Sequence, residues 1–209
     1  YKGVILLGGG DMSGPYKGIR VLELTSTVSG PYAGMMLADQ GADVIKIEPP
    51  GIGDLARFMG AIKDGMGAMF STLNRNKKCI CLDFKNDEDL EVFKKLVSTA
   101  DVLIENYRPG IVKKLGIDYD SLKQIKPDLI YCSISGYGQS GPYKEKKVYD
   151  PLIQGTVGIP NAQSSNSPEL IRTIIYDKVT GMTSAQAISA ALFQRERGEG
   201  GQYLSLIHI

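Results

Sequence analysis

Short runs rich in valine, isoleucine and leucine alternate along this chain with longer segments whose apolar positions recur at helical spacing. The first kind comprises IRVLEL (19–24), DVIKIE (43–48), CICLDF (79–84), DVLIEN (101–106) and DLIYCSIS (128–135), which read as strands. Helices are expected over Tyr32–Gln40, Gly65–Leu73, Asp87–Thr99, Val112–Leu115, Tyr119–Gln124 and Lys178–Arg195. In Asp87–Thr99 the apolar Leu90, Phe93, Leu96 and Val97 share one face and leave the charges on the other. Strands this uniformly apolar are buried on both sides. The alternation therefore predicts an α/β fold: an open, mostly parallel, Rossmann-like sheet with helices on both faces.

In such a sheet ligands collect beyond the carboxyl ends of the strands. Four loops follow predicted strands there: TSTVSGP (25–31), EPPGIGD (48–54), ENYRPG (105–110) and SGYGQSGPY (135–143), all rich in turn-forming residues. None is a dinucleotide fingerprint or a P-loop, which argues against the usual hydride-transfer and nucleotide-hydrolysis chemistries.

Composition narrows the partners. With 209 residues and 43% hydrophobic content the chain can bury a sizeable core. Its formal charge of +1, from intermixed acids and bases, gives no reason to expect nucleic acid or an anionic membrane. Two short basic runs, at Arg75, Lys77 and Lys78 and at Lys144, Lys146 and Lys147, suit a local anion such as a cofactor phosphate. Cys79, Cys81 and Cys132 lack metal-site spacing and are expected to be buried free thiols in a reducing compartment. Without a basic-then-apolar leader or a long apolar run, the expected location is the cytoplasm.

The stretch YDKVTGMTSAQAISAALFQRERGEGGQ (176–202) sets an acid, Asp177, at the mouth of a helix whose first turns hold glycine, alanine, serine and threonine. A carboxylate there suits the free backbone N–H groups and the helix dipole. Two roles follow: a plain N-cap, or an ionised nucleophile.

Taken in order, IRVLELTSTVSGPYAGMMLADQGADVIKIEPPGIGD, NRNKKCICLDFKN, ADVLIENYRPG, LIYCSISGYGQSGPY and YDKVTG…ALFQRERGEGGQ resemble the class III coenzyme A transferases. That superfamily includes formyl-CoA and carnitine-CoA transferases and alpha-methylacyl-CoA racemase. The resemblance, over residues 15–204, implies that Asp177 is the nucleophile of an acyl-CoA:carboxylate CoA-transferase. It would act through an aspartyl anhydride and an aspartyl-CoA thioester. Coenzyme A would enter as substrate, with no resident cofactor or metal.

The same resemblance implies that Ser26, Thr27, Val28 and Ser29 face coenzyme A and the reaction centre. Formyl-CoA transferase-like members carry histidine, valine and glutamine there, so formate and oxalate chemistry is less expected here. Asn106, Tyr107 and Arg108 would lie along coenzyme A, as would Gly136 and Tyr137 of the glycine loop; alternatively Asn106 caps a turn and Arg108 is simply solvated. Proline at 49 and 50 cannot supply the basic residue of other members, so Arg75, Lys77 or Lys78 would bind phosphate unless they are surface residues. Glu48, Glu105 and Asp150 lie in or beside the expected cleft, where each would orient a group or hold a local backbone turn, and none is assigned acid–base chemistry.

Racemase-like members place a histidine where this chain has Tyr149, which favours transfer and leaves epimerisation as the alternative. Family subunits have a large and a small domain and form interlocked homodimers. Residues 12–204 would be the N-terminal part of the large domain, and the small domain is expected to be missing. Residues 1–11 read as a leader or non-native segment. LSLIHI reads as the start of a buried strand, with 205–209 expected to be a truncated or non-native tail that includes His208.

Overall fold

The computed structural model describes residues 14–164 and 166–207; the predicted leader and His208 lie outside them. Strand β1 (Arg20–Leu24), helix α1 (Ser29–Asp39) and strand β2 (Asp43–Glu48) form the first unit. A 3-10 turn (Leu55–Phe58), a small hairpin of β3 (Ile62–Lys63) and β4 (Met66–Gly67), and α2 (Ala68–Leu73) lead into β5 (Lys77–Cys81). Next come α3 (Asp87–Val97), β6 (Val102–Glu105), α4 (Ile111–Lys114), α5 (Tyr119–Leu122) and β7 (Ile130–Ser135). The last elements are α6 (Asp150–Thr156), α7 (Ile159–Gln163), α8 (Ile175–Glu196) and β8 (Gln202–Ile207).

Six strands form one sheet in the order β5-β2-β1-β6-β7-β8, with every adjacent pair parallel. Successive side chains of a strand point to opposite faces, which divides the core in two. Val21, Val44, Val102, Ile104, Ile130 and Cys132 pack against Leu37 of α1 and Ile188 and Leu192 of α8. Leu22, Ile45, Leu103 and Tyr131 pack on the other side against Phe93 and Val97 of α3 and Leu122 of α5. The expected α/β layering is present.

Several boundaries differ from the sequence reading. The span 65–73 is helical only from Ala68, because the preceding residues pair as the β3–β4 hairpin. Helices α6 and α7 lie in a region where the apolar pattern is too short and irregular to predict them. LSLIHI does enter a strand, β8, whose residues 205–207 stay in register with β7, with Ser133 opposite Ser205 and Ser135 opposite Ile207, but its side chains are half-buried or exposed rather than buried. Cys79 and Cys132 are buried as expected but Cys81 is exposed, since it ends edge strand β5. Among the described residues no helix is long and apolar enough to cross a membrane.

Candidate active site

The loops leaving β1, β6 and β7 converge at the carboxyl end of the sheet, where they border a cavity of about 280 Å³. Of the expected site residues, Ser26, Thr27, Val28, Ser29, Asn106, Tyr107, Arg108, Gly136, Tyr149 and Asp177 all line it. So do Lys144, Lys146 and Lys147. Tyr137 does not: its ring meets Tyr143 edge-on at 5.6 Å.

Asp177 is not the cap of its helix. Helix α8 starts two residues earlier, so Asp177 belongs to its first turn. The cap is Asp150 of α6, whose Oδ1 accepts the backbone N–H groups of Tyr176 (2.5 Å) and Asp177 (3.0 Å). Its Oδ2 accepts from Gln154 Nε2 at 2.6 Å. Gln154 in turn accepts the N–H of Ile171 at 2.8 Å and donates to the carbonyl of Thr173 at 3.1 Å, fixing the chain that enters α8. The sequence reading offers Asp150 only the general roles of orienting a group or holding a local backbone turn, without the partner. The Asp150-Pro151 pair is a helix-start signal, but nothing local reveals a bond to a residue 27 positions away.

The turn after β1 lines the same cavity. Thr27 has φ 73°, a left-handed conformation that is strained for a β-branched residue. Asn106 holds Ser26 on both sides: its Oδ1 accepts the Ser26 N–H at 3.0 Å and its Nδ2 donates to the Ser26 carbonyl at 2.9 Å. The turn-holding alternative for Asn106 is therefore the one observed. Asp54 Oδ1 accepts from Ser26 Oγ and from the Thr27 N–H, each at 2.9 Å.

Beneath that turn lies a buried charge network. Lys46, fully buried, contacts Glu23 Oε1 and Asp54 Oδ2 at 2.9 Å and the Thr25 carbonyl at 2.7 Å. Lys77 reaches Glu23 Oε2 at 2.7 Å and donates to Asn74 and the Pro31 carbonyl. Burial pushes the Asp54 and Glu23 carboxyls up, but the lysines outweigh it and hold both below the ordinary carboxylate range. Lys77, which shares Glu23 with Lys46, is pushed down to about 8 by burial. Glu48 pairs with Arg57 at 2.7 Å and accepts the Asp54 N–H at 2.8 Å. Lys46 and Glu48 are thus parts of the support rather than ligand contacts.

Glu105 is different. It is 1% exposed, and burial raises its carboxyl to about 7, opposed only by hydrogen bonds from the Ser133 hydroxyl and the Tyr107 N–H. It is the first residue of the ENYRPG segment, next to the cavity-lining Asn106, Tyr107 and Arg108.

The structure does not bring Arg75 and Lys78 to the cavity. Lys78 pairs with Asp43 at 2.5 Å at the opposite, amino-terminal end of β2, and Arg75 is engaged with Asp39 at the end of α1. Carboxylates already neutralise both. The basic side chains at the cavity are those of Arg108 and the 144–147 loop, where Lys146 lies 3.5 Å over the Tyr143 ring.

Comparison with known proteins identifies the family and the fold. Residues 16–207 match the model of CoA-transferase family III. The chain is 41% identical to a succinate–glutarate CoA-transferase of Agrobacterium fabrum, covering 92% of this chain and 50% of that protein. It is 39% identical to an acetyl-CoA:oxalate CoA-transferase of Acetobacter aceti, with the same coverage of 92% and 50%. A solved CAIB/BAIF family protein from Brucella suis superposes with a TM-score of 0.89 at 41% identity, over 94% of this chain and 53% of that one. The chain thus spans about half the length of the curated relatives it matches. By sequence pattern, sheet order and these likenesses, the chain belongs to CoA-transferase family III.

Proposed function

We propose that this chain carries the nucleophile-bearing half of an acyl-CoA:carboxylate CoA-transferase, with Asp177 as the nucleophile. The observation that carries the reading is that Asp177, the basic 144–147 loop and the strained turn at Thr27 border one cavity. Coenzyme A is strongly anionic, and Lys144, Lys146, Lys147 and Arg108 supply the complementary charge at that cavity. No resident cofactor is needed, because coenzyme A arrives as a thioester.

The Asp177 carboxylate attacks the thioester carbonyl of the donor. The C–S bond breaks, the thiolate leaves, and an acyl-aspartyl anhydride remains. The thiolate then attacks the Asp177 carbonyl, releasing the donor acid and leaving an aspartyl-CoA thioester. The acceptor carboxylate attacks that thioester and expels the thiolate, forming a second anhydride. Attack of the thiolate on the acceptor carbonyl yields the new acyl-CoA and regenerates Asp177. Every step passes through a tetrahedral oxyanion, so fixed N–H donors carry much of the rate. First-turn N–H groups of α1 lack intrahelical acceptors, and Ser29 brings that turn to the cavity.

Relatives named for succinate, glutarate and oxalate support small carboxylic acids as the acceptor class. The full-length protein is expected to be a homodimer, which sedimentation would test. Free cysteines suit a reducing compartment, and we place the reaction in the cytoplasm.

Mass spectrometry of the full-length protein after brief exposure to acyl-CoA tests the mechanism. An acyl or CoA adduct on Asp177, lost in Asp177→Asn, is the expected result. Turnover without any such adduct would overturn it. Solvent deuterium entering the acyl alpha carbon would instead support the epimerase alternative, for which Tyr149 supplies no imidazole base.

A further inference from the structure

Asp54 is 1% exposed and does not line the cavity, yet its Oδ1 binds two consecutive residues that do. It accepts from Ser26 Oγ, from the Thr27 N–H and from the Ala56 N–H, all at 2.9 Å. Its other oxygen meets Lys46 Nζ at 2.9 Å. The carboxylate is itself anchored. Lys46 stands on β2 and pairs with Glu23 on β1, while the Asp54 N–H is held by Glu48 at the end of β2.

The turn needs such an anchor. Thr27 at φ 73° is in a region that glycine enters freely and threonine resists. Strain of this kind persists only where surroundings over-determine it, and it concentrates at sites of function. Asn106 fixes Ser26 but makes no bond to the Thr27 N–H, which leaves Asp54 as the group that holds the strained residue itself. An ionised carboxylate is a fixed acceptor, and the buried ammonium of Lys46 keeps it so.

We infer that Asp54 is a positioning residue for the transfer reaction: through Ser26 and Thr27 it locks a turn that lines the same cavity as Asp177. The inference rests on the transferase reading for its catalytic consequence, though not for its geometry. A turn released toward negative φ would displace Val28 and Ser29, and with them the first-turn donors of α1. Binding of the anionic end of coenzyme A, which relies on the 144–147 loop and Arg108, would change little. The chemical step would slow.

The test uses full-length Asp54→Asn, Thr27→Gly and the double variant, with steady-state kinetics, CoA calorimetry and amide exchange over residues 26–28. Asp54→Asn is expected to lower kcat about tenfold or more while CoA affinity changes less than about threefold. It should also speed exchange of the Thr27 amide. The double variant should regain at least about threefold of the lost kcat, because glycine needs no external force to keep positive φ. A general loss of folding would not be repaired by this change.

Wild-type protection of Thr27 in Asp54→Asn, a kcat within twofold of wild type, or absence of recovery in the double variant would each overturn the inference. The adduct on Asp177 is measured on the same wild-type preparation. If it is absent while exchange and turnover follow the predicted order, the aspartyl mechanism fails and the role of Asp54 stands. If it forms and Asp54→Asn reacts at the wild-type rate, the converse holds.

Discussion

Asp150 caps the helix that carries Asp177: one carboxylate oxygen of Asp150 accepts the backbone N–H of Asp177 at 3.0 Å and that of Tyr176 at 2.5 Å. Asp150 is 2% exposed and comes from a different helix, so the capping bond also ties α6 to the turn that holds Asp177. Removing it takes the acceptor from two part-buried N–H donors at the start of α8. Asp150→Ala is expected to destabilise the full-length protein by about 1–3 kcal/mol in urea unfolding. The adduct yield on Asp177 should fall with it. Asp150→Asn keeps an acceptor oxygen at the same place and should lose less than half as much stability.

Gly181 lies one turn beyond Asp177, where α8 crosses the start of α1. A Cβ there would come within 2.7 Å of the Ser29 carbonyl oxygen and 2.9 Å of the Tyr32 ring. Alanine improves helix propensity by about 1 kcal/mol, but the clash is with backbone and costs about 1–3 kcal/mol. We expect Gly181→Ala to lower the melting temperature despite the better propensity. Since Ser29 and Asp177 face the same cavity, the adduct should also form more slowly.

The fold was readable because β1, β2, β6 and β7 are apolar on both faces, so their composition declares a buried parallel sheet without reference to any distant residue. The cavity wall was readable for a related reason. Ser26–Ser29 and Glu105–Arg108 each follow a strand, and the fold class alone sends both loops to one end of the sheet. Side-chain destinations were not readable. Asn106 binds Ser26 across 80 positions and Asp150 binds Asp177 across 27, separations that leave no local periodicity. Arg75 and Lys78 illustrate the converse error: charge count pointed to a phosphate, while Asp39 and Asp43, brought alongside by the β2–β5 pairing and by α1, already neutralise them.

That difference yields a paired prediction for coenzyme A. Lys144→Gln and Lys147→Gln should each raise the KM for acyl-CoA about two- to fivefold with kcat retained, and the effect should shrink as salt screens it. Arg75→Gln and Lys78→Gln should leave KM within experimental scatter, since their charges lie away from the cavity. Initial-rate kinetics at low and high ionic strength check both halves. A larger KM effect at Lys78 than at Lys147 would move the phosphate site to the other end of the sheet.

Glu105 gives the protein a stability that depends on pH in a direction opposite to that of its paired carboxylates. Burial raises the folded-state value to about 7 from an ordinary 4.5. Below 4.5 the group is protonated in both states, and its contribution is complete. Between 4.5 and 7 the unfolded chain releases its proton while the folded chain still holds it, so stability falls as pH rises; above 7 the loss is finished. At 1.36 kcal/mol per pH unit this amounts to about 2–4 kcal/mol, undiminished by solvent because the side chain is 1% exposed. Glu105→Gln keeps an acceptor for the Tyr107 N–H and cannot ionise. Relative to wild type it should therefore gain about 2–4 kcal/mol between pH 4.5 and pH 8, as read by urea unfolding at each pH. A difference between the two proteins that stays constant across this range would mean that Glu105 ionises in the folded protein as it does in the unfolded chain.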